Sequence, residues 1–243
     1  MDLLQRLDAY PRVELGPFPT PLEELPRLSR ALRRPALIKR DDLPGPALGG
    51  NKARKLEYLM AEAQALGARK VATFGGMQSN HARMTAAACR RLGMAPYLLY
   101  FARRPARLTG NLALCAALGA RMYFVPLPQG GEPGLTLERA IALARLLARA
   151  LVGRHYFIPV GGHSWLGCLG YVRAALELDE QARAAGVGDA YVVLAAGTGG
   201  TLAGLLAGLS LCGSALRPLA IDVGKLWRGF PASVAALAGE ICA

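Results

Sequence analysis

Two hydrophobic patterns alternate along the chain. Short apolar runs bounded by glycine, proline or polar residues predict buried strands, and longer segments with helical periodicity separate them. Strands are predicted at 36–39, 70–74, 96–101, 121–125, 155–158, 191–195 and 218–223. Helices are predicted at 53–66, 80–92, 108–118, 136–152, 166–185 and 201–211. This alternation is typical of an α/β protein with parallel strands and flanking helices.

Composition narrows the class of protein. Hydrophobic residues make up 53% and charged residues 19% of the 243 positions, which describes a globular protein with a substantial core. The net charge of +12 comes almost entirely from arginine. Residues such as Arg139, Arg145 and Arg149 are scattered singly and form no stripe with aromatic residues, so we expect no nucleic-acid partner. A positive field would instead help to gather an anionic substrate or cofactor.

The cysteines and the apolar segments indicate where in the cell the protein is expected. Neither zinc spacing nor a disulfide framework is evident among the five cysteines, which are Cys89, Cys115, Cys168, Cys212 and Cys242. The first six residues lack the features of a signal peptide. Residues 190–216 carry no charge and are long enough to cross a bilayer, but they contain six glycines and begin as a strand pattern. We therefore expect a cytoplasmic protein that has no membrane partner.

One lysine stands in a glycine-rich turn ahead of a predicted helix. Lys52 follows Gly49-Gly50-Asn51, in a chain with five lysines and twenty-four arginines. Lysine can lose its proton and attack a carbonyl, whereas arginine stays protonated. A helix N-terminus lowers the pKa of an ammonium group, which favours that reaction. The turn is not a Walker loop, because Asn51 occupies the lysine position of that motif. The alternative is an ordinary surface lysine at a helix start.

A polar turn follows the strand predicted to end at Phe74. Its side chains belong to Gln78, Ser79, Asn80 and His81. Backbone N–H groups and polar side chains at such a turn can capture a carboxylate. Capping of the next helix by Ser79 or Asn80 is the simpler interpretation, and the two roles are compatible. The three histidines of the chain do not lie at ligand spacing, so we expect no metal site.

A third cluster lies between an apolar strand and an apolar helix. It comprises Gly197, Thr198, Gly199, Gly200 and Thr201. Bare N–H groups, threonine hydroxyls and a helix N-terminus together make a phosphate cradle. Leu202 replaces the third glycine of the dinucleotide pattern, which disfavours a dinucleotide-binding regulator. An amine for a carbonyl, a turn for a carboxylate and a cradle for one phosphate describe a pyridoxal 5'-phosphate site.

Several segments together closely resemble the 1-aminocyclopropane-1-carboxylate deaminase/D-cysteine desulfhydrase family, which has the tryptophan-synthase-β fold type of pyridoxal-phosphate enzymes. They are residues 40–43, 49–57, 78–83, 109–111, 159–178 and 196–209. The resemblance implies a homodimer and two open parallel-sheet domains with the cofactor in the cleft between them. With a boundary near residue 155, the large domain would comprise 1–48 and 155–243, and the small domain 49–154.

The resemblance also implies roles for residues of this sequence. Lys52 looks like the Schiff-base lysine, and Asn80 would contact the phenolic oxygen of the cofactor. The phosphate would be held by Gly197, Thr198, Gly199, Gly200 and Thr201. The substrate carboxylate would bind the turn of Gln78, Ser79, Asn80 and His81, and Ser79 is also a candidate for proton transfer.

The sequence departs from the family pattern at two places. A small polar residue of the family is replaced by His163 in the turn Gly161-Gly162-His163-Ser164. After the strand predicted at 218–223, family members continue through a long C-terminal part of the large domain, which carries the tyrosines that face the substrate. This chain stops at Ala243, so we expect an incomplete large domain.

The resemblance implies a reaction as well as a fold. An amino-acid substrate would displace Lys52 from the cofactor, and loss of sulfide or opening of a cyclopropane ring would lead to a 2-oxo acid and ammonia. We expect a deaminase, lyase or hydrolase acting on 1-aminocyclopropane-1-carboxylate or D-cysteine. The alternatives are another β-eliminase or racemase of this fold, and a truncated homologue that binds the cofactor without catalysis.

Overall fold

The strands lie where the apolar runs predict them. The computed structural model describes residues 3–126, 136–223 and 228–243. Each predicted strand is present to within one residue at either end, and one short strand, β1, was not predicted. The strands are β1 (Leu22–Glu24), β2 (Leu37–Lys39), β3 (Lys70–Gly75), β4 (Ala95–Tyr100), β5 (Arg121–Phe124), β6 (Tyr156–Ile158), β7 (Tyr191–Ala196) and β8 (Arg217–Asp222).

Each predicted helix is also present, to within two residues at either end. Three further helices, α1, α2 and α9, were not predicted. The helices are α1 (Leu3–Asp8), α2 (Pro26–Leu32), α3 (Lys52–Ala65), α4 (Asn80–Arg91), α5 (Gly110–Ala117), α6 (Leu137–Val152), α7 (Trp165–Ala184), α8 (Gly200–Leu211) and α9 (Phe230–Cys242). A single 3₁₀ turn covers Val160–Gly162.

A parallel four-stranded sheet forms around β3, with strand order β5-β4-β3-β6. Helix α6 packs on one face, because Ala140, Ala144 and Ala148 recur every four residues and are buried there. Helices α4 and α5 contribute to the core on the other face. The α/β class with parallel strands and flanking helices is therefore confirmed.

Strand β6 bears on the domain boundary. Residues 156–158 pair in parallel with Val71, Ala72 and Thr73 of β3. They therefore extend the sheet formed by the predicted small domain, 49–154, although the sequence places them in the large one. The division of the chain into two domains stays a prediction.

The charge-free stretch at 190–216 is divided among several elements. Strand β7 lies at the start of this stretch, and α8 lies in its middle. Strand β8 follows directly after residue 216 and pairs in parallel with β7. No helix in the described ranges is long and apolar enough to cross a membrane. One face of this strand pair carries exposed apolar side chains, namely Tyr191, Val193, Leu219, Ile221 and Val223.

Helices α3 and α7 touch through their backbones. A Cβ atom at Gly170 of α7 would collide with the carbonyl oxygen of Arg54 on α3. The absence of a side chain at Gly170 therefore permits this close approach. The contact holds the first turn of α3, which contains Lys52, against the helix that follows the 3₁₀ turn.

A buried ionic network fixes the first turn of α3. The Arg54 guanidinium donates to both oxygens of Asp41 at 2.8 Å and to Glu177 Oε2 of α7 at 2.8 Å. Lys39 of β2 also donates to Glu177. Since Arg54 is only 3% exposed, this network ties three separate segments of the chain together behind Lys52.

Candidate functional site

Three sequence clusters come together around one cavity of about 170 Å³. Lys52 at the start of α3 faces the polar turn before α4 and the glycine-rich turn before α8. The lining residues are Asn51, Lys52, Ser79, Asn80, His81, Val160, Gly161, Ala195, Ala196, Gly197, Thr198, Gly199, Thr201 and Leu202. The carboxyl ends of β3, β6 and β7 lead into these segments, which is where ligands bind in parallel α/β sheets.

The amine of Lys52 is prepared for reaction with a carbonyl. Its Nζ atom donates to Asn51 Oδ1 at 2.9 Å. Burial, and then the positive charge of Lys55, lower the pKa of Lys52 to about 7. A substantial fraction of the amine is therefore neutral near pH 7, and only the neutral amine is a nucleophile.

The polar turn is built around a helix cap. Ser79 precedes α4, and its Oγ accepts a hydrogen bond from Ala82 N at 3.2 Å. The Ser79 hydroxyl hydrogen remains able to donate to a ligand in the cavity. Asn80 begins the helix, and its Nδ2 donates to Asn51 Oδ1 at 3.4 Å. The capping interpretation of Ser79 thus holds, and it leaves a donor for a ligand.

Gln78 is used differently from its neighbours. Its Nε2 donates to Thr109 O at 3.1 Å, and its Oε1 accepts from Asn111 N at 2.9 Å. It is not among the residues that line the cavity. These bonds hold the turn against the start of α5, and the assignment of Gln78 to the substrate stays a prediction.

His81 is a buried neutral histidine. It is 2% exposed, and its Nε2 lies 2.9 Å from Thr73 Oγ1. Because Thr73 donates its own hydrogen to Ile158 O at 2.7 Å, Nε2 is the donor in the pair. Burial, together with the charges of Lys52 and Lys55, holds the pKa of His81 well below its usual value. Its Nδ1 has no hydrogen-bond partner within the described residues.

The glycine-rich turn forms the floor of the cavity. Gly199 has a left-handed backbone with φ of +82°, and a Cβ atom there would collide with Val234 of α9. Gly200 is the first residue of α8, and a Cβ atom there would lie 2.7 Å from Lys55 Nζ. With Thr198 and Thr201 beside it, the helix N-terminus offers N–H groups and hydroxyls to an anion.

Lys55 is a residue of this site that the sequence interpretation missed. Its Nζ donates to Gly161 O at 3.1 Å, and its side chain is fully buried. Burial lowers its pKa, and no carboxylate forms an ion pair with it in the described parts of the chain. The spacing of Lys52 and Lys55 on one helix, three residues apart, was the available signal.

His163, like Lys55, lies close to Gly200. Its Nδ1 would be 3.4 Å from a Cβ atom at Gly200, and it has no partner within the described residues. Burial, and then the charge of Lys55, lower the pKa of His163 to about 4, so the ring is neutral. A buried lysine and an open helix N-terminus fit a phosphate-bearing cofactor with an aldehyde near Lys52.

Comparisons with known proteins agree with this geometry. The sequence profile of the family described as "Pyridoxal-phosphate dependent enzyme" matches residues 13–239. A Pyrococcus horikoshii protein named as a candidate 1-aminocyclopropane-1-carboxylate deaminase is 42% identical over 220 residues, covering 90% of this chain and 65% of that protein. D-cysteine desulfhydrase of Serratia proteamaculans is 42% identical over 214 residues, covering 86% and 63%. This chain thus spans slightly less than two thirds of their length.

Solved structures also show similarity to this chain. One described as an ACC deaminase homologue has a TM-score of 0.83 and 40% identity, covering 99% of this chain and 72% of that one. A pyridoxal 5'-phosphate-dependent aspartate racemase at 19% identity and a TM-score of 0.62 shares the fold. The hydrolase class, which the sequence analysis also expected, does not appear in the names of these relatives. The chain therefore belongs to the family of pyridoxal-phosphate-dependent enzymes.

Proposed function

We propose that this protein is a pyridoxal-phosphate-dependent deaminase or lyase. It converts a small amino acid, 1-aminocyclopropane-1-carboxylate or D-cysteine, to a 2-oxo acid and ammonia. The observation that carries the proposal is the pairing, in one cavity, of a lysine whose pKa is about 7 with a glycine-rich anion cradle. The names of relatives that are 42% identical support the choice of substrates.

The residues of the cradle hold the phosphate. The N-terminus of α8 and the hydroxyls of Thr198 and Thr201 supply donors, and Lys55 supplies a buried positive charge beside Gly200. When bound, the cofactor supplies an aldehyde and a conjugated ring that withdraws electrons from the carbon next to the substrate nitrogen. Asn80, at the start of α4, is the residue we assign to the phenolic oxygen.

The remaining residues bind the substrate and move protons. Neutral Lys52 would hold the cofactor through its aldehyde, and the free Lys52 amine would take or return a proton at the carbon next to the substrate nitrogen. Ser79 donates its hydroxyl hydrogen to the substrate carboxylate, because its oxygen already accepts from Ala82 N. His81 stays neutral and offers Nδ1 as a hydrogen-bond acceptor.

Visible absorption and borohydride trapping test the cofactor site. Purified protein mixed with pyridoxal 5'-phosphate is expected to turn yellow, and reduction followed by peptide mass mapping is expected to place the adduct on Lys52. Lys52→Ala removes the adduct, whereas the matched control Lys70→Ala, at the first residue of β3 and outside the cavity, retains it. An adduct on another lysine, or one that persists in Lys52→Ala, contradicts the assignment.

Turnover tests the substrate class. Sulfide and pyruvate are expected from D-cysteine, or 2-oxobutanoate and ammonia from 1-aminocyclopropane-1-carboxylate. A protein that forms the Lys52 adduct and turns over neither substrate contradicts the proposed reaction but not the cofactor site. In that case, elimination or racemisation of serine and aspartate distinguishes the other activities of this fold.

We also propose that the protein is a homodimer in the cytoplasm. The exposed apolar face of β7 and β8 supports a subunit contact, since patches of this kind mark interaction surfaces. The free state of all five cysteines supports a reducing compartment. Light scattering on the purified protein measures the subunit number.

A further inference from the structure

Asn51 occupies a helix cap position without capping the helix. It precedes α3, where an asparagine side chain normally accepts a hydrogen bond from the first turn, yet no such bond forms. The residues that precede α4, α6 and α7 do cap, since Ser79, Thr136 and Ser164 each accept from a backbone N–H three residues later. The Asn51 side chain is therefore used elsewhere.

The Asn51 amide turns into the cavity and joins all three clusters. Its Oδ1 accepts from Lys52 Nζ at 2.9 Å and from Asn80 Nδ2 at 3.4 Å. Its Nδ2 donates to Thr201 Oγ1 of the cradle at 3.4 Å. The single side-chain amide of Asn51 thus hydrogen bonds with the Lys52 amine, with the polar turn and with the phosphate cradle.

A second layer holds the amide in place. The hydroxyl of Tyr171, a buried residue of α7, lies near the Asn51 side chain. Tyr171 donates to Asp41 Oδ2 at 2.8 Å, and Asp41 is held by Arg54. Asn51 therefore lies between the cavity and the buried ionic network.

We propose that Asn51 is a positioning residue, which holds the Lys52 amine at one place in the cavity and in register with the phosphate cradle. This inference rests on the proposed function and adds to it a residue for which neither the sequence motifs nor the comparisons specify a role. A planar amide suits the task, because its oxygen can accept from an amine in either protonation state while remaining neutral.

Competitive acetylation tests the contact without any cofactor. Trace acetic anhydride labels only the neutral amine, so the labelling of the Lys52 peptide against pH gives its midpoint. The titratable groups that face Lys52 are Lys55 on its own helix and His81 on α4, with Tyr171 beyond Asn51. The acetylation measurement needs no ligand, so its outcome is separate from that of the proposed function.

Asn51→Asp replaces the amide by a carboxylate of the same shape beside the amine. An opposite charge at that distance raises the midpoint of Lys52 by about one unit or more. The matched control Gln64→Glu makes the same change at an exposed position of α3 and leaves the midpoint unchanged. A midpoint in Asn51→Asp equal to that of the wild type overturns the inference.

Asn51→Ala gives a second measurement, which also serves if Asn51→Asp does not fold. Loss of the amide is expected to weaken formation of the Lys52 adduct with pyridoxal 5'-phosphate about tenfold, the equivalent of one hydrogen bond to a charged or reacting group. Pyridoxine 5'-phosphate has no aldehyde and is expected to bind within about twofold of its wild-type affinity, since the other cradle donors remain. Equal losses for the two compounds, or no loss for either, overturn the inference.

Discussion

Lys52 and Lys55 lie three residues apart on α3, where burial and then the charge of Lys55 lower the pKa of Lys52 to about 7. The same ammonium lies beside Gly200 at the first turn of α8. We therefore infer two roles for Lys55: it favours the neutral form of the Lys52 amine, and it would supply positive charge next to the phosphate cradle.

Replacing Lys55 by methionine separates these effects from folding. In Lys55→Met we expect a higher pKa for Lys52, since a like charge is removed, and an affinity for inorganic phosphate at least about tenfold weaker. Thermal stability is expected to stay the same or rise, because a buried charge without an ion pair is costly. Acetylation against pH, calorimetry with phosphate and a melting curve measure the three quantities. Lys70→Met should alter none of them by a comparable amount.

The lowered pKa of Lys52 makes stability depend on pH. The unfolded chain keeps a proton on Lys52 up to about pH 10.5, whereas the folded chain releases it above about pH 7. Stability rises with pH wherever the unfolded state binds more protons. We therefore expect the free energy of unfolding of the wild type, relative to that of Lys52→Met, to rise as the pH is raised from about 7 to about 10.5. Urea titrations at several pH values measure the difference, and a constant difference contradicts the lowered pKa.

Two fully buried threonines form a matched pair for stability. Thr73 bonds both His81 and Ile158 O, while the Thr85 hydroxyl has no partner within the described residues. Thr73→Val is expected to destabilise the fold by about 1–3 kcal/mol, because it leaves buried polar groups unpaired. Thr85→Val is expected to be neutral or stabilising. Urea unfolding measures the loss of stability in both variants. Equal losses would show that packing, rather than hydrogen bonding, determines the effect of the two substitutions.

The buried ionic network behind Lys52 can be compared with an ion pair at the surface. Glu177→Gln removes a carboxylate that binds Arg54 and Lys39 in the interior, and we expect a loss of about 3–5 kcal/mol. Asp42→Asn removes one of the two carboxylates that pair with Arg40 at the surface, where a loss of about 0–1 kcal/mol is usual. Burial raises the pKa of Glu177, but its bonds to Arg54 and Lys39 outweigh burial and lower it overall. The contribution of Glu177 is therefore lost as the pH falls below its usual range, which acid unfolding measures.

The strands and longer helices were predictable because their patterns are local. Continuous apolar runs mark β3 and β4, which are buried, and the periodicity of α6 marks its packed face. Helix α9 was missed, since it is apolar on most sides and begins at a glycine and a proline. Strand β1 is three residues long and depends on pairing with β2.

The three clusters of the site were predictable from residue type, but their arrangement was not. The positions of Lys55 and Asn51 depend on loops that are distant in sequence. Lys55 meets Gly161 and Gly200, and Asn51 meets Thr201 and Tyr171. A cap residue at a helix start gives no local sign that its side chain will turn away from the helix. Such roles become visible only when the partners are placed in space.

The contact between Gly199 and α9 has a mechanical consequence. Since Gly199 lies against Val234 and Phe230, helix α9 supports the glycine-rich turn. We therefore expect the turn to shift little when an anion enters, so that the ligand adapts to the turn. Helix α9 would influence the cradle in this way although none of its residues lines the cavity.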